Sequence, residues 1–389
     1  MLLLAFMLST VLAPVTTLNK LLFAFLMLWI LRLLVRQRKP RLRLHPPAFV
    51  VIAIFLYGLL TSQLTRSDNA LAVQFFLASF VLMLIHFVDH FRIDMDRAVE
   101  LCGKAMIAVT IVYLVAALNQ DLPYANQIFE WLNQISASAF AERDFIEGDV
   151  TLTFGLGSAP FLFVPWCLVT MRLIRNPRIA DALWLVLYGL VIGISGARGL
   201  VVVALAFLVG ALIFLTSLRA RIFVILILMV IMAIGVPVLL TATSLFSSEE
   251  ISNAAKIGHF NSFLDEMDVW GALFGNGLGS YYYSSGKGEW TAHTELTPID
   301  FARYLGIPFA FIFYSLLLFP SSRLSSYRGD NYLFCFGFLL FLILSLTNPT
   351  LVNSYGMICV VWYWAKIKSP KQRPMFSIMP QPFGAVDRI

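Results

Sequence analysis

The chain has 389 residues, 59% of them hydrophobic and only 13% charged, with a mean hydropathy of +0.82. A soluble domain carries about 25% charged residues, so this composition excludes one or two ordinary soluble domains of the same length. The formal net charge of +6 would suit nucleic acid, but the positions of the bases mark membrane topology instead.

A spanning helix needs roughly 20 mostly apolar residues. Apolar segments run in chain order over 2–16, 18–35, 47–63, 70–88, 101–118, 151–171, 180–195, 200–216, 222–244, 301–320, 331–346 and 349–365. They predict an all-α, polytopic bundle of about twelve spans, a single membrane domain over 1–389. The first segment has no basic region before it and reads as an uncleaved helix rather than a signal peptide. Cys102, Cys167, Cys335 and Cys359 all lie within apolar segments without metal-ligand spacing, and read as buried small hydrophobes.

Cytoplasmic loops carry an excess of Lys and Arg. The basic run from Arg36 to Arg43 puts the end of the second segment inside. Counting onwards, Arg92 and Arg97, Arg172, Arg175 and Arg178, Arg219 and Arg221, Arg323 and Arg328, and the basic C-terminal tail all fall inside. The segments at 119–150 and 245–300 then form long outer loops, both acid-rich. Both termini are expected in the cytoplasm. Lys20 near the outside, and the acids in 89–100, fit this pattern less neatly.

Loops longer than about 12–15 residues often carry function, so chemistry is expected on the outer side. In 119–150, Ile128 to Leu132 form a short amphipathic stretch, either lying on the membrane surface or packed as ordinary helix. In 245–300, Ser244, Ser247, Ser248, Glu249 and Glu250 suit a helix start. Ile257, Phe260, Phe263, Leu264 and Met267 approximate a helical stripe, with Asp265, Glu266 and Asp268 mainly off it on a wet face. His259 has no clear partner in sequence and reads as a solvated or packed histidine. The turn Phe274–Gly275–Asn276–Gly277–Leu278–Gly279 permits positive φ and could present N–H groups to an anion, though Asn-Gly turns are also common punctuation.

The stretch from Trp290 to Ile307 is the sharpest. His293, at the outer mouth of a helix, can act as a general base near neutral pH, and Glu295 could orient or tune it. The alternative is a loop histidine that only hydrogen-bonds backbone. Arg303, just inside the next span, must line a polar cavity, pair with an acid or snorkel outwards; Asp300 is its partner by i,i+3 spacing. Arg198 interrupts two apolar runs at Gly196–Ala197–Arg198–Gly199. It suits a phosphate or diphosphate, or it snorkels to the interface. Lys256 either makes a surface salt bridge or forms a two-cation clamp with Arg198. Arg66, in the short outer loop 64–69, is a third diphosphate candidate, and Arg303 a fourth.

The Gly–x–Arg–Gly break, the long outer loop with its basic residue and Phe–Gly–x–Gly–x–Gly turn, the Ala–His–x–x–Leu helix start at Ala292 and the Leu–Gly–Ile at Leu305 occur in an order that resembles the O-antigen polymerase and O-antigen ligase superfamily. The informative part covers roughly residues 185–320. The resemblance implies a GT-C-like membrane fold, with short helices in a long periplasmic loop. It also implies metal-independent, inverting glycosyl transfer from an undecaprenyl-diphosphate-linked oligosaccharide, without a cofactor. By it, His293 corresponds to the loop histidine proposed as base, and Arg198 to the arginine that contacts diphosphate. Lys256 falls near a position usually held by arginine, keeping the charge but not the bidentate fork. Thr294 stands where Asn is frequent, so no Asn role carries over.

The resemblance therefore implies a bacterial inner-membrane enzyme that polymerises repeat units at the periplasmic face. Membrane lipids, a chain-length regulator and a flippase are its expected partners; nucleic acid is not. A ligase that moves glycan onto lipid A–core would carry the same residues. From another class, a transporter or flippase would also fit twelve helices, although its polar groups are expected near mid-membrane.

Overall fold

The structure is a computed structural model; it describes residues 1–14, 16–36, 45–136, 139–146, 149–217, 222, 226, 251–294, 296–318 and 331–368. It is mostly helical. The helices are α1 (Leu2–Leu12), α2 (Leu18–Arg36), α3 (Pro46–Ser62), α4 (Asn69–Ser79), α5 (Leu84–Phe91), α6 (Met95–Leu118), α7 (Pro123–Ser136), α8 (Phe163–Arg175), α9 (Ile179–Ile194) and α10 (Arg198–Leu215). After 218–250 come α11 (Ile251–Glu266), α12 (Val269–Phe274), α13 (Thr297–Leu305), α14 (Ile307–Leu318), α15 (Asn331–Leu346) and α16 (Ser354–Lys368). Local chemistry starts several of them. Asp68, Asp94 and Asp268 each accept a hydrogen bond from a backbone N–H in the first turn of α4, α6 and α12, satisfying donors that the helix itself leaves orphaned. Proline occupies the first turn of α3 and α13, where its missing N–H costs nothing.

The core centres on α16. Met357 to Trp364 are buried without interruption, as expected of a helix that is apolar all round and sits inside a bundle. It packs against α1, α4, α5, α6 and α15, and Tyr363 stacks on Phe338 at 3.8 Å. The outer helices do the reverse. Leu183, Val186 and Leu190 line one exposed side of α9, and Val202 and Leu205 one side of α10. Such stripes are not left to water; they suit contact with lipid. Among the described residues, three helical stretches are long and apolar enough to cross a membrane, Asn69–Phe91, Met95–Leu118 and Arg198–Leu215. They mark a membrane-associated protein. The expected segment at 222–244 lies almost wholly outside the described residues.

Two antiparallel hairpins depart from an all-helical chain. β1 (Ala139–Ile146) pairs with β2 (Asp149–Gly155), and β3 (Tyr282–Ser284) with β4 (Glu289–Thr291). The segment 151–171, expected as one span, therefore begins as strand and is helical only from Ala159. Its Thr151–Leu152–Thr153–Phe154 alternates polar and apolar residues, the period of a strand rather than a helix. In 119–150, the amphipathic stretch lies in α7, with Trp131 exposed and Leu132 buried.

The connections define two ends of the bundle. At one, Arg172 forks onto both oxygens of Glu100 at 2.8 and 3.0 Å and donates through Nε to Asp181 at 2.6 Å. Lys104 adds a 2.8 Å contact to Glu100, and Asp96 accepts from Trp362 at 2.8 Å and pairs with Lys366. This network ties α6, α8, α9 and α16 together. Arg92, Arg97, Arg175 and Arg178 belong to the same end, beside the starts of α6 and α9. From Ile179, α9 runs 16 residues, about 24 Å at 1.5 Å per residue, to the break that precedes Arg198 at the other end.

Candidate functional site

His293 lies in the segment between β4 and α13, four positions before the helix starts at Thr297, so it precedes the helix mouth rather than forming it. The chain folds back so that Nδ1 of His293 stands 2.8 Å from Oδ2 of Asp300, in the first turn of α13. The contact is close, but the ring N–H is not aligned along it as a hydrogen bond. Such pairs commonly tighten only when substrate binds. The Thr294 backbone N–H donates to the same oxygen at 2.9 Å. Thr291 Oγ1 donates to the carbonyl of His293 at 2.8 Å, and the edge of Phe75 packs against the imidazole at 5.5 Å. The His293 side chain is 25% exposed while Asp300 is fully buried, so an oriented ring faces outwards from a sealed carboxylate.

A buried carboxylate needs a counter-charge and donors. Arg303 supplies both, donating through Nη2 to Asp300 Oδ1 at 3.0 Å. It is itself 4% exposed, and its guanidinium also donates to the carbonyls of Ala292, at 2.8 Å, and Ser280. The Tyr304 hydroxyl donates to the same Ala292 carbonyl. The guanidinium carbon sits 4.3 Å from the Tyr282 ring centre and 4.8 Å from that of Tyr304, within cation–π range. Arg303 thus pairs with Asp300 as its spacing predicts. It is a buried brace rather than an open diphosphate ligand.

The glycine turn is a brace too. The N–H groups of Asn276 and Gly277 donate to the carbonyls of Arg303 and Tyr304 at 2.7 and 3.0 Å, and that of Leu278 to Gly58 at 2.9 Å. These bonds cap the last turn of α13 and sew it to α3. The expectation that the turn presents its N–H groups to an anion is therefore corrected. Gly275 and Gly277 have φ of +73° and +86°. A Cβ on Gly277 would lie 2.3 Å from Ser62 N, and one on Gly275 2.5 Å from Tyr304 O.

On α11, the apolar stripe proves exposed at Ile257, Phe260 and Leu264, whereas His259 and Ser262 are buried. This helix turns its small polar side to the β3–β4 hairpin and its apolar side outwards, the reverse of a soluble amphipathic helix. His259 Nδ1 lies 2.5 Å from Ser284 Oγ and 3.2 Å from the Tyr282 hydroxyl. Burial pushes the Tyr282 phenol up to about 12, so at neutral pH it stays protonated and can donate to that nitrogen. His259, Tyr282, Arg303, Asp300 and His293 are consecutive neighbours, linking α11 to the partly exposed histidine.

The other cations are spread around this assembly. Lys256 is half-buried on α11, one turn before His259. Arg198 is half-buried at the first position of α10, after Gly196 at φ +64°. A guanidinium there adds to the positive end of the helix dipole, an arrangement that favours an anion. The next residue, Gly199, packs on Thr347 and Asn348, and the Asn348 carbonyl accepts from Thr297 Oγ1 at 3.0 Å. The starts of α10 and α13 therefore share one neighbour. Arg66 is exposed, its guanidinium carbon 5.3 Å from the Trp290 ring centre and 5.9 Å from that of Tyr281. Glu295 lies outside the described residues. The four cysteines are free and buried. Among the described residues no cluster of His, Cys, Asp or Glu has the makings of a metal site.

No protein-family model and no curated protein matches the chain.

Sequence pairing of Asp300 with Arg303 missed that the same carboxylate also meets His293. The available signal was an acid in the first turn of a proline-started helix, seven residues after a histidine. Tyr282 and the Ala292 carbonyl left no comparable signal.

Proposed function

We propose that the chain is a membrane-embedded glycosyltransferase that polymerises undecaprenyl-diphosphate-linked oligosaccharide repeat units by inverting, metal-independent transfer. The observation that carries this reading is the half-exposed His293 held against buried Asp300 at the end of the bundle that also bears Arg198. That pairing suits a general base, and the order of motifs resembling the O-antigen polymerase and ligase superfamily supplies the substrate class. The bases gathered at the opposite end support placing that end in the cytoplasm and His293 in the periplasm.

The sugar hydroxyl of one lipid-linked unit attacks the anomeric carbon of the growing chain, from the face opposite the diphosphate. As the new C–O bond forms, the hydroxyl proton passes to Nε2 of His293, and Asp300 steadies the imidazolium through Nδ1. The bond from anomeric carbon to diphosphate oxygen breaks, and the lipid diphosphate leaves with the electron pair. Arg198 and Lys256 offset the charge developing on it. Arg303 holds Asp300 in place, and the glycine turn holds the helix that bears both.

The test is turnover by purified protein in proteoliposomes given lipid-diphosphate repeat units, with and without lipid A–core. A ladder on the carrier lipid is expected, and its loss in His293→Ala. Transfer to core alone would make the protein a ligase. Movement of lipid-linked glycan across the bilayer without any transfer product would make it a flippase. Full turnover by His293→Ala would overturn the assigned base.

A further inference from the structure

The β3–β4 hairpin has two unlike faces. Its inner face carries Tyr282 and Ser284, both buried and bonded to His259. Its outer face is aromatic. Tyr283 stands directly opposite Trp290 in the register, their ring centres 6.2 Å apart. Tyr281, two residues before Tyr283, takes the same side by alternation. All three are exposed, Trp290 by 53%. The segment carrying Arg66 adds to this edge, with Tyr281 N–H donating to the Arg66 carbonyl at 3.0 Å and a β-bridge between Ser67 and Ser280. The Arg66 guanidinium then lies between the Tyr281 and Trp290 rings.

The composition of this surface does not suit immersion in hydrocarbon. Thr65, Arg66, Lys287 and Glu289 around the platform are all exposed, and hydrocarbon would leave those charges unsolvated. A wet aromatic platform rimmed by two cations and one carboxylate matches a saccharide. The electropositive C–H face of a pyranose packs on the negative face of an aromatic ring, and its hydroxyls bond to guanidinium and carboxylate. Trp290 is also three residues from His293, a reach of at most about 10 Å. β4 leads directly into Ala292, whose carbonyl Arg303 and Tyr304 both hold, so platform and base are parts of one braced segment.

We infer that Tyr281, Tyr283, Trp290 and Arg66 form a saccharide subsite that holds the glycan of the lipid-linked substrate beside His293. This rests on the glycosyl-transfer reading for the identity of the glycan, and on the platform itself for the sugar chemistry.

The experiment uses full-length protein in nanodiscs. The probe is the oligosaccharide pool released by mild acid from the lipid-linked glycans of the source cells, which lacks the diphosphate and can bind only through sugar. Wild type should retain it. Trp290→Ala and Tyr283→Ala should bind about tenfold more weakly, and Trp290→Phe should keep most of the affinity. Undiminished binding by Trp290→Ala, or no retention above empty nanodiscs, would overturn the subsite. Trp290→Cys should react with a membrane-impermeant maleimide, the native cysteines being buried. Labelling only after denaturation would place the face in lipid and also overturn it. Transfer assays separate the two ideas. Sugar binding that depends on Trp290 without any transfer leaves the subsite standing and removes the enzyme. Transfer with an unchanged KM in Trp290→Ala removes the subsite and leaves the enzyme.

Discussion

Nδ1 of His293 lies 2.8 Å from Oδ2 of Asp300, while the other oxygen of that carboxylate accepts from Arg303 at 3.0 Å. One buried acid thus serves two partners with different tasks. Arg303 makes the burial of its charge tolerable, and the acid in turn orients a partly exposed ring. Removing either partner should have distinguishable consequences.

Asp300→Asn keeps the shape of the side chain and removes its charge. Turnover should fall by roughly 10²–10⁴, the range of a general-base contribution, with lipid-diphosphate donor binding unchanged. The double variant with His293→Ala should be no slower than the worse single variant, because residues acting as a unit are not additive. Single-turnover kinetics on both singles and the double would read this. Additive losses would mean that the two act separately.

Arg303→Met should destabilise the fold rather than merely slow it. It leaves Asp300 buried without its permanent cation, with only the Thr294 N–H and the His293 ring beside it, and strips a donor from each of the carbonyls of Ala292 and Ser280. Breaking one side of a buried pair costs about 3–5 kcal/mol. Thermal unfolding in detergent should show the drop, with Arg303→Lys intermediate because it keeps charge but loses the planar fork. An unchanged melting temperature would contradict the brace.

Gly277→Ala should loosen the site without melting the bundle. Its Cβ would collide with the Ser62 backbone at 2.3 Å, and its φ of +86° disfavours any L side chain. Limited proteolysis should cut the hairpin region faster, and turnover should fall. Gly288→Ala is the control, with a φ of +69° but open space around the added carbon; its cost should stay near about 1–2 kcal/mol of local strain. Equal behaviour of the two variants would show that docking of the turn is unimportant.

Arg198→Lys separates a diphosphate ligand from a snorkelling base. A bidentate phosphate contact should raise the KM for the lipid-diphosphate donor about tenfold even with lysine, since the fork is lost. A base that only reaches for the interface should be fully replaced by lysine. Steady-state kinetics against donor concentration, at two ionic strengths, would read the difference.

Much of this was legible in advance because it is local. Apolar runs and the i,i+3 pair of Asp300 and Arg303 are each set by neighbours within one or two turns. The hairpin at 139–155 was not, because its short alternation adjoins a long apolar helix and was absorbed into it. The stripe on α11 was legible as a stripe only. Periodicity says that Ile257, Phe260 and Leu264 share a face, but not whether that face meets protein, water or lipid. The glycine turn was legible as a turn only. Its N–H groups are claimed by α13 and by α3, and the Tyr57 hydroxyl and Thr65 reach it from 217 and 211 positions away in the chain.

The sequence by itself determined the class of the molecule and its short list of polar exceptions, because hydropathy and charge placement act through composition and local period. Only the tertiary structure decided which acid faces His293, that Arg303 is sealed in as a brace, that the glycine turn is spent on capping a helix, and that Arg66 joins an aromatic platform. Each of those outcomes depends on which donors and rings are brought together from distant parts of the chain. Burial then makes that choice binding, since a polar group removed from water must find its partner among whatever the fold has placed beside it.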